Sequence, residues 1–187
     1  FLSIDSTTGL ISGTPSNADV GAHDVSVQVH DTSWATDEQD YQLTVKNQND
    51  PPVVGDIPDQ TIDEGQSFTQ IHLDDYVSDP DNSDAEMTWT YAGNHDLQVS
   101  IDANRVATIT PPDSNWNGSE TITFTATDPG GLSDSDPATF TVNNVNDAPV
   151  AVNDTAVTDE DIAVSVPVLS NDSDIDNDLL IIQTVTD

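Results

Sequence analysis

Two stretches of this chain, Val25-Ser-Val-Gln-Val29 and Thr121-Ile-Thr-Phe-Thr-Ala126, alternate apolar with polar residues. That period of two marks a strand with one buried face. The same β-branched or aromatic alternation runs through Tyr41 to Val45, Met87 to Tyr91, Leu97 to Ile101, Val106 to Ile109, Thr139 to Val142 and Ile162 to Val166. Turn formers such as Asn117-Gly118 and Pro129-Gly130-Gly131 separate these runs, and no segment carries a helical period. Trp89 and Phe124 fall on the apolar faces and are expected in a core.

The pattern repeats. Residues 1–53 align without a gap on residues 98–150, an offset of 97: Ser3-Ile4-Asp5 on Ser100-Ile101-Asp102, Gly21 on Gly118, Asp31 on Asp128, Thr44-Val45 on Thr141-Val142. Thr61-Ile62-Asp63-Glu64 recurs as Val157-Thr158-Asp159-Glu160, and Asp79-Pro80-Asp81-Asn82 as Asp174-Ile175-Asp176-Asn177. The expected organisation is the C-terminal half of one repeat (1–50), a complete repeat (51–147) and the N-terminal half of another (148–187). The sequence opens in mid-pattern and reads as an excerpt of a longer chain. The two halves are complementary in length, so end-to-end self-association is a possible partner mode, beside the neighbouring repeats of the same chain. About seven short strands in a repeat of this length predict tandem all-β sandwiches, immunoglobulin-like or cadherin-like with Greek-key connections.

Charge narrows the function. Thirty-five acidic residues face two basic ones, Lys46 and Arg105, for a formal net charge of -33. Nucleic acid is excluded as a partner, and so is an anionic membrane surface, because both require Lys/Arg patches. No apolar run is long enough to insert into a bilayer. There is no cysteine, so neither a disulfide nor a thiolate metal site can brace the small domains. Thirty of the 35 acids are Asp, the residue of turns and of calcium loops. For any one Asp, a solvated surface is the simpler account, so clustering must decide.

The clusters fall at the junctions Lys46-Asn-Gln-Asn-Asp-Pro-Pro-Val53 and Asn143-Asn-Val-Asn-Asp-Ala-Pro-Val150. These resemble the cadherin linker Asp-x-Asn-Asp-Asn-x-Pro, and Ala126-Thr-Asp-Pro-Gly-Gly-Leu-Ser133 resembles the cadherin Ala-x-Asp-x-Gly segment. Leu2-Ser-Ile-Asp-Ser-Thr-Thr-Gly-Leu-Ile-Ser-Gly-Thr-Pro15 is similar to the dystroglycan-type cadherin-like family, and Asn153-Asp-Thr to Leu180 to the tandem repeats of bacterial surface adhesins. The resemblance implies Ca2+ at each junction. The first site would take Asn49 and Asp50 from the linker, the Gln48 carbonyl, and Asp79, Asp81 and Asp128. The second would take Asn146, Asp147, Glu64, Asp174 and Asp176, with Asp113 and Asp178 as further candidates. The linkers depart from the cadherin pattern, with Asn47 or Asn144 at the first Asp and Pro51 or Ala148 at the final Asn. Fewer carboxylates imply fewer or weaker ions.

Other chemistry finds little support. Asp172-Ser-Asp-Ile-Asp-Asn-Asp178 imitates an EF-hand loop but has Asn177 where that loop needs Gly and Gln183 where it needs Glu. His23, His30, His72 and His95 lack metal-ligand spacing, and no nucleophile or zinc-protease motif occurs. A non-enzymatic, calcium-stiffened extender on a bacterial cell surface or in a secreted protein, acting in adhesion or biofilm, is the expected function. Other cells or surface polysaccharide are its expected contacts. Two alternatives stay open: an ancillary carbohydrate-binding module, for which Trp34 and Trp116 are the available aromatics, and a self-assembling filament subunit.

Overall fold

The computed structural model describes residues 1–186. In chain order the strands are β1 (Ser3–Ile4), β2 (Ile11–Ser12), β3 (Gly21–His30), β4 (Thr36–Val45), β5 (Val53–Val54), β6 (Gln60–Asp63), β7 (Ile71–His72), β8 (Val77–Ser78), β9 (Thr88–Ala92), β10 (Gln98–Ile101), β11 (Val106–Thr110), β12 (Gly118–Thr127) and β13 (Ser133–Asn143). Three single turns of 3-10 helix, at Asn17–Asp19, Leu73–Tyr76 and Asp84–Glu86, supply the helical content of the described residues.

Strands β5 to β13 make a two-layer sandwich. One sheet has the order β6-β13-β12-β9 and the other β10-β11-β7, with β5 and β8 pairing at the margin. The long hairpin β12–β13 is its spine. Its alternation puts Ile122, Phe124, Ala126, Ala138 and Phe140 fully inside, while the intervening threonines face outward. On that outer face Thr121 meets Thr139 at 3.2 Å and Ser119 meets Thr141 at 2.9 Å, hydroxyl pairs that sit directly opposite in register. Inside, Phe140 is met edge-on by Phe68 at 5.2 Å and by Phe124 at 6.4 Å. Trp89, Leu97, Ile109, Ile71 and Leu73 close the core from the other elements.

The strand that enters the sandwich pairs with β8 on one side and is fastened by carboxylates on the side facing β13, where no backbone ladder forms before Gln60. Residues 53–59 run past β13 before β6 pairs with it in parallel at Gln60–Asp63. Along this stretch Asp134 accepts the Val54 N–H, Asp136 accepts the Ile57 N–H, and Asp59 accepts the Thr139 N–H, at 2.8, 2.8 and 2.6 Å. Three aspartates thus replace three ladder bonds.

Before the sandwich, β3 and β4 form a hairpin that corresponds to β12 and β13 at the offset of 97, from Gly21 on Gly118 to Val45 on Val142. β1 and β2 correspond to β10 and β11, but the ungapped alignment hides a compensated shift. Ile4 faces Ile11 across a six-residue turn containing Gly9 at φ 74°, whereas Ile101 faces Ala107 across a turn one residue shorter, with Arg105 at φ 58°. In both, the leading Asp accepts backbone N–H groups: Asp5 from Thr7 and Thr8, Asp102 from Asn104 and Val106.

Residues 146–186 carry one isolated bridge, Val150 to Ser173, and no extended strand. The strand expected over Ile162 to Val166 is therefore absent. In the sandwich, the segment following the equivalent position is β7, which pairs with β11. Among the described residues no strand stands opposite this segment, so its alternating face is neither paired nor buried, and Ile162 and Val164 are exposed. Val157 and Leu179 are accordingly almost fully exposed.

Candidate functional site

The linker after β4 lands on two loops at one end of the sandwich: residues 79–82, between β8 and the Asp84–Glu86 turn, and the tip of the β12–β13 hairpin. The first loop shapes itself. Asp79 Oδ1 accepts the N–H groups of Asp81 and Asn82 at 2.7 and 2.8 Å, an Asx turn that the short side chain and Pro80 favour. The turn aims Asp81 outward, where its Oδ2 accepts the Asp50 N–H at 2.7 Å. Asp50 Oδ2 in turn accepts from the Asn17 amide at 2.7 Å, tying the preceding 3-10 turn to the linker.

The hairpin tip presents Asp128, whose side chain lies in the interior at 5% exposure. Its Oδ1 accepts the Leu132 N–H at 2.9 Å, and its Oδ2 accepts the Asn49 amide at 2.7 Å. Burial works to raise the pKa of this carboxyl, but the Asn49 amide and the N–H groups of Leu132, Gly131 and Gly130 outweigh it and hold the group below the ordinary Asp value. Gly130 makes the approach possible. A Cβ there would stand 2.5 Å from Asn49 Nδ2 and 2.6 Å from its Cγ, well inside contact distance.

Two oxygens in this cluster lack a partner: Asp79 Oδ2 and Asn82 Oδ1 are buried and accept no hydrogen bond. Both are acceptors, so a further N–H, a water or a cation would satisfy them. Among the described residues, no three Asp, Glu or His side chains converge into a ready metal cage. The reason is visible in the geometry: several carboxylate oxygens here are turned toward backbone N–H groups.

The second linker repeats the construction. Asp174 Oδ1 accepts the Asp176 N–H at 2.9 Å, and Asp176 Oδ2 accepts the Asp147 N–H at 2.6 Å. Val150 bridges Ser173 as Val53 pairs with Ser78. Asn146, Asp147, Asp172, Asp174 and Asp178 line one concavity, with Leu179 on its wall.

The structure thus gathers Asn49, Asp50, Asp79, Asp81 and Asp128 at the first linker, and Asn146, Asp147, Asp174, Asp176 and Asp178 at the second. Three expected members stand apart. Gln48 is exposed and outside the hydrogen-bonded network. Glu64 holds the start of the second linker instead: its Oε1 accepts from the Asn117 amide, which also donates to Asn144 Oδ1, at 2.9 and 3.0 Å. Asp113 is exposed and caps its own turn through the Asn115 N–H. Sequence reasoning missed Asn17, Asn82, Gly130 and Asp172. Asn82 and Asp172 lie within the acidic runs 79–82 and 172–178, and Gly130 within the Ala-x-Asp-x-Gly segment.

Residues 49–143 and 146–187 match the model of a family described as bacterial Ig domain. The chain belongs to that family. Both matched spans begin at a linker Asn, Asn49 and Asn146, 97 residues apart. Residues 1–46 match a second model, described as "Putative Ig domain". No protein of curated function matches the sequence. Among solved structures, human CDH23 EC21-23 is 17% identical over 92% of this chain and 60% of its own, with a TM-score of 0.57. PcdhgB3 EC1-4 is 19% identical over 77% and 37%, at TM-score 0.54. Protocadherin Gamma B7 extracellular cadherin domains 1-4 is 18% identical over 87% and 44%, at TM-score 0.53. The chain therefore spans less than two thirds of each of these solved chains. At such identities the likeness establishes the fold: bacterial Ig domain repeats with a cadherin-like sandwich. No helix among the described residues is long and apolar enough to cross a membrane.

Proposed function

We propose that these bacterial Ig domain repeats are an extracellular extender whose junctions are stiffened by calcium. The observation that carries this reading is the linker lock built twice, Asp50 on Asp81 on Asp79 and Asp147 on Asp176 on Asp174, with two acceptor oxygens left buried and unpaired at the first. The donor set fits a hard cation: it is all oxygen, from carboxylates and amides on separate loops. Asp79, Asp81, Asn82, Asp128, Asn49 and Asp50 would hold the ion at the first junction. Asp174, Asp176, Asp178, Asn146 and Asp147 would hold it at the second. With a net charge of -33, each junction packs like charges, and a shared divalent ion converts that repulsion into cohesion between linker and sandwich. The role is geometric: a straighter, stiffer array that holds a distal region away from the bacterial surface.

The test is calcium titration of the metal-stripped chain by calorimetry, with magnesium as control, followed by thermal unfolding and small-angle scattering. With dissociation constants of about 0.1–1 mM, as in extracellular modules, 10 mM calcium adds about 1.4–2.7 kcal/mol per site. Saturable heat, a higher unfolding midpoint and a larger radius of gyration are expected, all reduced by Asp79→Asn with Asp174→Asn. Absence of heat and of any shift in midpoint would overturn the calcium reading.

A further inference from the structure

The β3–β4 hairpin ends in a turn that is the β12–β13 tip in another dress. Asp31 N–H donates to the Ala35 carbonyl as Asp128 does to Leu132, Trp34 N–H donates to the Asp31 carbonyl as Gly131 does to Asp128, and Asp31 Oδ1 accepts the Ala35 N–H as Asp128 Oδ1 accepts that of Leu132. At the sandwich, this turn receives a linker. At the first hairpin two substitutions change what it can receive. Ser33 stands at the position of Gly130, where a Cβ occupies the space an incoming Asn side chain needs. Trp34 stands at the position of Gly131.

Trp34 is unusual in both conformation and exposure. It adopts φ 66°, a left-handed conformation that glycine takes freely and a large side chain resists; Gly131 has φ 90°. It is 78% exposed, so no core burial offsets that strain. It is nonetheless held in position, stacked on the His30 ring at a centroid distance of 4.8 Å and an interplanar angle of 16°, with His30 Nδ1 3.1 Å from the Asp31 carbonyl. A strained, exposed and oriented aromatic points to function.

We propose that the Trp34–His30 stack is a saccharide-binding platform at the tip of the first hairpin. A flat indole presented to water suits the C–H face of a pyranose ring, and the register His30↔Thr36, Gln28↔Glu38 puts the exposed Glu38 carboxylate on the same face of the hairpin as His30, an acceptor for hydroxyl or ammonium groups. The net charge of -33 selects neutral or amino-sugar chains and repels sulfated or uronate polymers. The site is separate from the linker carboxylates and operates with or without a cation.

The test uses the whole chain in EDTA, with cellohexaose and chitosan hexamer as probes and dextran sulfate as control, read by the three indole N–H resonances. The expected result is saturable movement of the Trp34 signal alone with at least one of the first two probes and none with the third. Trp34→Gly, its binding compared with that of the unsubstituted chain by calorimetry because the reporting indole is gone, should weaken binding at least tenfold while leaving the unfolding midpoint unchanged or higher, since the position favours glycine. No saturable response to either probe, equal binding by Trp34→Gly, or a lower midpoint in that variant would overturn the proposal.

Discussion

Replacing Gly130 by Ser separates the linker lock from the fold that carries it. Gly130 has no left-handed φ, and the equivalent residue of the first hairpin is already Ser33, so the turn itself accepts the side chain. What the new Cβ meets is Asn49, with Nδ2, Cγ and Oδ1 at 2.5, 2.6 and 2.7 Å. Those are the far atoms of a rotatable side chain, so Asn49 swings away and the sandwich stays intact. The loss is then the 2.7 Å hydrogen bond to a carboxylate that is 5% exposed, a bond to a charged group and so about 1.5–3 kcal/mol. The clean assay is a double-mutant cycle in urea: Gly130→Ser, Asn49→Ala and both. Once Asn49 is replaced by Ala, the introduced serine side chain has little left to displace. The double variant should then be less destabilised than the sum of the singles by at least about 1 kcal/mol, roughly half of that bond. Effects that add within about 0.5 kcal/mol would mean that Gly130 and Asn49 do not act on each other, and the account of the lock would fail.

Two further outcomes follow from the same kind of contact. Glu120 is half-buried, which works to raise its pKa, yet the N–H groups of Asp96, His95 and Leu97 bind its carboxylate and hold it below the ordinary Glu value. A carboxyl depressed in the folded state contributes stability above its unfolded value of about 4.3, and that contribution is lost as pH falls through the folded value. Unfolding midpoints measured from about pH 7 to pH 2 should therefore drop on the acid side, and Glu120→Gln should lower the neutral plateau and flatten that drop; an unchanged profile would count against the clamp. Phe140→Ala empties a fully buried position between two aromatic neighbours and should cost about 3–5 kcal/mol in urea unfolding, with a value under about 1 kcal/mol contradicting the assigned core.

The strands of the sandwich were legible because alternation and burial coincide: Thr121-Ile-Thr-Phe-Thr-Ala126 is the inner and outer face of β12 written in order. Alternation at Ile162 to Val166 gave the same signal without a strand, since a pleated face needs a partner and a period cannot supply one. The offset of 97 located both linkers but concealed the one-residue difference between the β1–β2 and β10–β11 turns, because a later compensation restores the alignment by Gly21 and Gly118. Asp59, Asp134 and Asp136 were invisible as strand fasteners: nothing in their immediate sequence says that a backbone N–H from 79 or 80 residues away will face them.

The excess of Asp over Glu, which first pointed toward metal, has a structural root that narrows the candidates. Asp5, Asp31, Asp79, Asp102, Asp113 and Asp174 each accept the backbone N–H two residues onward, a turn that the longer Glu side chain closes poorly. Acidity alone is thus explained by turn-making at these positions, and an Asx turn by itself argues for no ion. What distinguishes Asp79 and Asp174 is position: their turns aim the next Asp at a linker N–H, whereas those of Asp5, Asp102 and Asp113 close on themselves. Asp79 is further set apart by a second oxygen that is buried and accepts nothing. If calcium binds, removing that one carboxylate should weaken the first junction while leaving its turn formable by Asn. The same change at Asp113 should alter neither binding nor the unfolding midpoint. The contrast between two aspartates in the same local conformation isolates the junction from the charge.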